Sequence, residues 1–99
     1  MRSTAINMIR RHITFHGSVQ GVGFRYRAYH AAMRCGCTGW VRNEWNGTVT
    51  MEIQGEESAI DDVIMYIERG LYVRIENMDV RQVPPVDSER GLRHTNHRA

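Results

Sequence analysis

The sequence predicts an α+β fold, an antiparallel sheet with two helices on one face. Three observations carry that expectation. Apolar and polar residues alternate around Ile13 and Phe15, and again through Val49, Met51 and Ile53, which is the period of half-buried strands. Apolar residues recur at helical spacing in Phe24, Ala28, Ala32 and Cys35, and in Ile60, Val63, Ile64 and Ile67. Between two strand-like runs stands Asn46-Gly47, a hairpin signal read as a type I′ turn with positive φ at both residues.

The elements follow in order. A first strand is expected over 12–18, with Ile13 and Phe15 inward and His12, Thr14 and His16 on the other side. Residues 1–11 read as a flexible lead-in, 12–95 as the domain and 96–99 as a flexible tail. The first helix starts near Phe24 and stops at Gly36, a residue suited to the left-handed position after a helix. A second strand runs from Thr38 to Trp45, with Val41, Asn43 and Trp45 on the helix-covered face. Both tryptophans, Trp40 and Trp45, read as sheet packing. The third strand, Thr48 to Gln54, is broken by Gly55. Glu56 and Glu57 then suit the positive end of a second helix, which Gly70 closes. Val73 to Val83 is rich in strand formers, but its parity slips between Ile75 and Met78, which a bulge, or a strand starting only near Asn77, would explain. Pro84-Pro85 ends that strand, and Leu92 alone supports a short, weak C-terminal strand. The order βαββαβ is the split-βαβ, ferredoxin-like plan.

A chain of 99 residues makes one domain, and an apolar fraction of 41% suffices for one core. The formal charge of +2 suits a small anionic substrate. Every basic residue but the histidines is arginine, and the arginines are scattered, which argues against a nucleic-acid partner. Cys35 and Cys37 flank a single glycine, so a disulfide between them would be strained; they read as free thiols of a reducing compartment. No histidine stands at zinc spacing from them, and no metal is expected. Glu56, Glu57, Asp61 and Asp62 read as a solvated helix face. No apolar run reaches membrane-spanning or signal-peptide length, so the expectation is a cytoplasmic monomer with no membrane partner.

The chemistry concentrates in Gly17-Ser18-Val19-Gln20-Gly21-Val22-Gly23-Phe24-Arg25, between the first strand and the first helix. Glycines let the backbone approach a ligand, and the first N–H groups of a helix favour an anion. Arg25 adds a permanently charged fork that matches phosphate oxygens. The spacing fits neither the dinucleotide fingerprint nor the P-loop, since no third glycine and no Gly-Lys-Ser/Thr follows.

These residues carry a resemblance. The stretch is similar to the G-x-V-Q-G-V-G-F-R signature of the acylphosphatases. Gly39-Trp40-Val41-Arg42-Asn43, then Asn46-Gly47-Thr48-Val49, is similar to that family's G-W-V-x-N and D/N-G-x-V. Arg25 and Asn43 stand 18 positions apart (43 − 25), the family's separation. The likeness runs from about His12 to Val83 and departs at the end. Where the family reads G-F-R-I-R, this chain has Gly91-Leu92-Arg93-His94-Thr95, with leucine for the aromatic and His94 for a β-branched residue.

The resemblance implies a hydrolase without metal or cofactor. It would split the carboxyl-phosphate bond of small acyl phosphates into carboxylate and inorganic phosphate. By the same resemblance Arg25 binds the phosphate, and backbone N–H groups of Gln20, Gly21, Val22, Gly23, Phe24 and Arg25 complete the cradle. Asn43 would hold the attacking water. Arg27 and Arg42 are left unplaced. Three alternatives stand beside this reading. One is the acylphosphatase-like module of the carbamoyl-transferase of hydrogenase maturation, which continues into cysteine-rich zinc segments that these 99 residues do not contain. A second, suggested by the altered tail, is a catalytically weakened binding module. The third is a ferredoxin-like RNA-binding domain, against which the outward Thr14, His16, Thr50 and Glu52 speak, since none is a stacking aromatic.

Overall fold

The computed structural model describes residues 7–95. They form β1 (Met8–Ser18), α1 (Phe24–Cys35), β2 (Thr38–Asn43), β3 (Val49–Glu56), α2 (Glu57–Glu68), β4 (Arg74–Val83) and β5 (Leu92–His94). The sheet order is β4-β1-β3-β2-β5. The pairs β1–β3, β1–β4 and β2–β3 are antiparallel, which gives the ferredoxin-like plan its four strands. No described helix is long and apolar enough to cross a membrane.

The fifth strand departs from the all-antiparallel expectation. β5 pairs parallel to β2, with Leu92 beside Gly39 and His94 beside Val41. Connectivity explains the direction. The chain leaves β4 at the end of the sheet where β2 begins. A short crossing over 84–91 can only return in the direction opposite to β4, and that is the direction of β2.

Alternation sorts the side chains. Ile13 and Phe15 of β1, Val41 of β2, and Val49, Met51 and Ile53 of β3 are buried against Phe24, Ala28, Ala31 and Ala32 of α1 and Ile60, Val63 and Ile67 of α2. Phe15 and Phe24 meet edge to face with ring centroids 4.8 Å apart. That contact joins the strand before the glycine-rich loop to the helix after it.

Several boundaries differ from the sequence reading. β1 begins at Met8, not near residue 12, because β3 runs on to Glu56 and the Met8–Glu56 and Ile9–Gly55 pairs extend the ladder. Residues 1–6 of the expected lead-in and 96–99 of the expected tail lie outside the described residues. Gly55 does not break its strand. It sits inside β3, where a Cβ would come within 2.9 Å of Cys37 Sγ, so the position is small for lack of space. β2 ends at Asn43, not Trp45. Trp45 is 79% exposed beyond the end of β2, whereas Trp40 lies on the open face between His12 and Arg42.

The hairpin is present but its turn is not type I′. Gly47 N donates to Glu44 O at 3.2 Å, and Gly47 has φ 91, but among the described residues Ser88 is the only non-glycine with positive φ. The loop is a tight turn followed by one left-handed glycine. Asn46 serves instead through its side chain, whose Oδ1 accepts from the N–H and hydroxyl of Thr48 at 3.1 and 2.7 Å. Of the two explanations for the parity slip, the bulge holds, since β4 starts at Arg74 and not near Asn77. Pairing passes from His16–Asn77 to Gly17–Ile75, leaving Glu76 as the extra residue.

Candidate active site

β1 delivers the chain into the glycine-rich loop, and α1 receives it at Phe24. Val19 is buried and anchors the loop to the core. Gly21 and Gly23 have φ 71 and 85, in the left-handed region that side chains avoid. Gly23 is the N-cap of α1; its carbonyl accepts from Arg27 N at 3.0 Å, and no side chain caps the first turn. The leading N–H groups of α1 have no intrahelical partner, an arrangement that favours an anion.

A cleft of about 620 Å³ opens at this point. Val19, Gly21 and Gly23 line it from the loop, and Phe24, Arg25, Tyr26 and Tyr29 from α1. Asn43 lines it from the end of β2, and Leu92, Arg93 and His94 from β5. Arg25 and Asn43 therefore face one cavity. Asn43 shares the parity of buried Val41, which turns it to the helix-covered side. Among the described residues, neither the Arg25 guanidinium nor the Asn43 amide has a hydrogen bond or ion pair.

Gln20 and Val22 are not among the lining residues. Gln20 has a different part, which no local pattern announced. Its Nε2 donates to Glu44 O and to Thr48 O, each at 2.8 Å. Those carbonyls flank the turn that follows Asn43, so the side chain ties the loop to the hairpin.

Other residues with possible chemistry lie elsewhere. Arg27 Nε and Nη2 donate to Tyr66 O at 3.0 and 2.8 Å, satisfying a last-turn carbonyl of α2. Its guanidinium lies 4.0 Å over the Tyr66 ring. Arg42 pairs with Glu44 at 2.9 Å and covers Trp40 on the open face. His16 is on that face too, 2.8 Å from Asp79. Cys35 and Cys37 are free thiols. Burial pushes the Cys37 thiol up to about 11, which leaves it protonated and unreactive.

The wall contributed by β5 was not legible in the sequence. Leu92 is only 6% exposed, and Gly39 N to Gly91 O and Thr95 N to Val41 O, at 3.0 and 2.9 Å, hold the strand. The crossing that leads to it is fastened to the open face. Gln54 exchanges two hydrogen bonds with the Val86 backbone, at 2.9 and 2.8 Å. Arg10, 2% exposed, donates to Glu52, Gln54 and Glu89. Burial works against ionisation of Glu89, yet hydrogen bonds from Arg10 and Thr38 outweigh it and hold the carboxyl below its usual range. Glu52 is likewise held low against burial, by Arg10 and His12.

Comparison with known proteins identifies the family. The acylphosphatase family model matches residues 11–93. An acylphosphatase of Geobacillus thermodenitrificans is 45% identical over 76 residues, which span 76% of this chain and 81% of that one. The solved structure of an acylphosphatase from Coxiella burnetii matches with a TM-score of 0.79 at 28% identity, covering 90% of this chain and 94% of that one. Full-length HypF in its phosphate- and nucleotide-bound form matches at 0.80 with 29% identity, over 95% of this chain but 12% of that one. With the loop, Arg25 and Asn43 on one cleft and a family match over nearly the whole described length, this chain belongs to the acylphosphatase family.

Proposed function

We propose that this acylphosphatase splits the carboxyl-phosphate bond of small acyl phosphates with Arg25 as phosphate clamp and Asn43 as water holder. The substrate is a mixed anhydride, and its leaving carboxylate needs no strong general acid. Catalysis then reduces to positioning and charge stabilisation. The Arg25 fork and the leading amides of α1 would grip the phosphoryl oxygens and stabilise the charge they carry in the transition state. The Asn43 Oδ1 would accept from a water aimed in line with the leaving group. A neutral amide takes no proton at pH 7, so the proton passes to a phosphoryl oxygen of the substrate.

One observation carries this reading: Arg25 and Asn43 line one cleft with both side chains unengaged among the described residues. The scheme has no place for a metal. The lining offers one imidazole and no carboxylate or thiol, a poor set of ligands for a divalent cation. The scattered arginines speak against a nucleic-acid partner.

The test is hydrolysis of benzoyl phosphate in chelator by the wild type, Arg25→Ala and Asn43→Ala. Both variants should lose turnover by about 10²-fold or more. Inhibition by inorganic phosphate should vanish in Arg25→Ala and persist in Asn43→Ala. Full activity of Asn43→Ala would refute the water-holding role, and loss of wild-type activity on chelation would refute the metal-free scheme.

A further inference from the structure

Phosphate chemistry uses the loop and Asn43, but the cleft has a second wall. It is built from Tyr26 and Tyr29 of α1 and His94 of β5. The parallel register fixes where His94 points. It stands beside Val41 and shares the parity of buried Leu92, so it faces the helix-covered side, as Asn43 does. Arg93 has the opposite parity and stands beside Trp40, and its charge acts on Glu89, so although it borders the cleft it is turned away from this wall. Two backbone hydrogen bonds bracket His94, from Gly39 N to Gly91 O and from Thr95 N to Val41 O, so its place does not depend on its own side chain.

The chemistry of this wall is one-sided. Two phenols and an imidazole can all donate hydrogen bonds, and no carboxylate lines the cleft to compete for them. A purely hydrocarbon acyl chain would use none of those donors.

We propose that His94, with Tyr26 and Tyr29, binds the acyl group and selects acyl phosphates whose acyl chain carries a second carboxylate. This rests on the Arg25–Asn43 reading of the same cleft. The imidazole and phenol donors meet the distal carboxylate while the loop holds the phosphate at the other end.

Succinyl phosphate and butyryl phosphate differ at the chain end by a carboxylate and suit the test. The wild type should show the higher kcat/KM for succinyl phosphate, through KM. In His94→Val, which removes the imidazole and keeps strand propensity, the succinyl-to-butyryl ratio should fall about five- to tenfold. His94→Gln keeps a donor and should restore part of the ratio. Inhibition by inorganic phosphate, measured on each variant, checks that the cradle still forms. A ratio identical in wild type and His94→Val would overturn the proposal while leaving the hydrolytic reading intact. No turnover of either substrate by the wild type would overturn both.

Discussion

Arg10 Nη1 and Nη2 donate to the two carboxylate oxygens of Glu89, at 2.7 and 3.1 Å, across 79 residues of chain. Nε of the same guanidinium reaches Glu52 at 2.7 Å. A cation this deeply buried is tolerable only with such partners. Here the partners belong to the sheet and to the crossing segment, so one side chain fastens the crossing down. Because that segment runs directly into β5, the pair also fixes one wall of the cleft.

Glu89→Gln removes the charge from this clamp and leaves Arg10 with Glu52 and Gln54. The expected loss is about 2–3 kcal/mol of stability, read from urea unfolding. kcat/KM should fall as well, since β5 is less firmly held. A variant with the wild-type urea midpoint would show that Glu52 and Gln54 suffice.

Acid should act through the same clamp. Glu52 and Glu89 both have folded-state pKa values lowered from 4.5. The unfolded chain therefore takes up these protons first on acidification. The stabilisation is complete above about pH 4.5 and is lost as pH falls through the lower, folded values. Urea midpoints measured from pH 7 downward should hold and then drop below that point. The drop should be shallower in Glu89→Gln, which has one fewer carboxylate to protonate; parallel curves would contradict this.

Gln20→Ala cuts both hydrogen bonds between the loop and the hairpin. Each is worth about 0.5–1.5 kcal/mol. The sharper consequence is geometric, because the tie holds the Asn43 strand against the Arg25 loop. We expect kcat to fall about tenfold or more, since misplacement by an ångström is costly to an in-line attack. Phosphate inhibition should stay close to wild type. An unchanged kcat would mean that the core alone sets the separation.

Gly23 and Gly39 should respond differently to alanine. At Gly23, φ is 85 but a Cβ would meet nothing within 4 Å, so the cost is the left-handed backbone alone, about 1–2 kcal/mol. At Gly39, φ is 147 and a Cβ would collide with Glu52 O, so β2 could not pair with β3 as it does. Gly39→Ala should be far less stable than Gly23→Ala, or fail to fold. Comparable thermal midpoints would contradict the observed pairing.

What the sequence made legible was local. The two helices, the alternation in β1 and β3, and the bulge in β4 are periodic patterns, and each was readable because one face is buried. That Arg25 and Asn43 would meet at one cleft was legible through the motifs around them. Long-range contacts were not. Arg10 and Arg11 looked like a polar lead-in, yet they are strand residues whose partners lie at Glu52 and Glu89, and at Glu57 and Asp61. β5 has a single inward apolar residue, Leu92, which was enough to suggest a short strand but not its direction or its place in the cleft wall. The turn at Asn46-Gly47 was misread because both loop types accept a glycine in the left-handed region, and only the φ of Asn46 separates them.

β4 and β5 occupy opposite edges of the sheet, and this ordering has a consequence in time. β5 can dock only on a β2 that is already paired, after the chain has crossed three strands. It is only three residues long, so it adds little pairing of its own until its neighbours are formed. A refolding chain should recover its helices and core before its cleft is complete, so far-ultraviolet dichroism should return ahead of turnover.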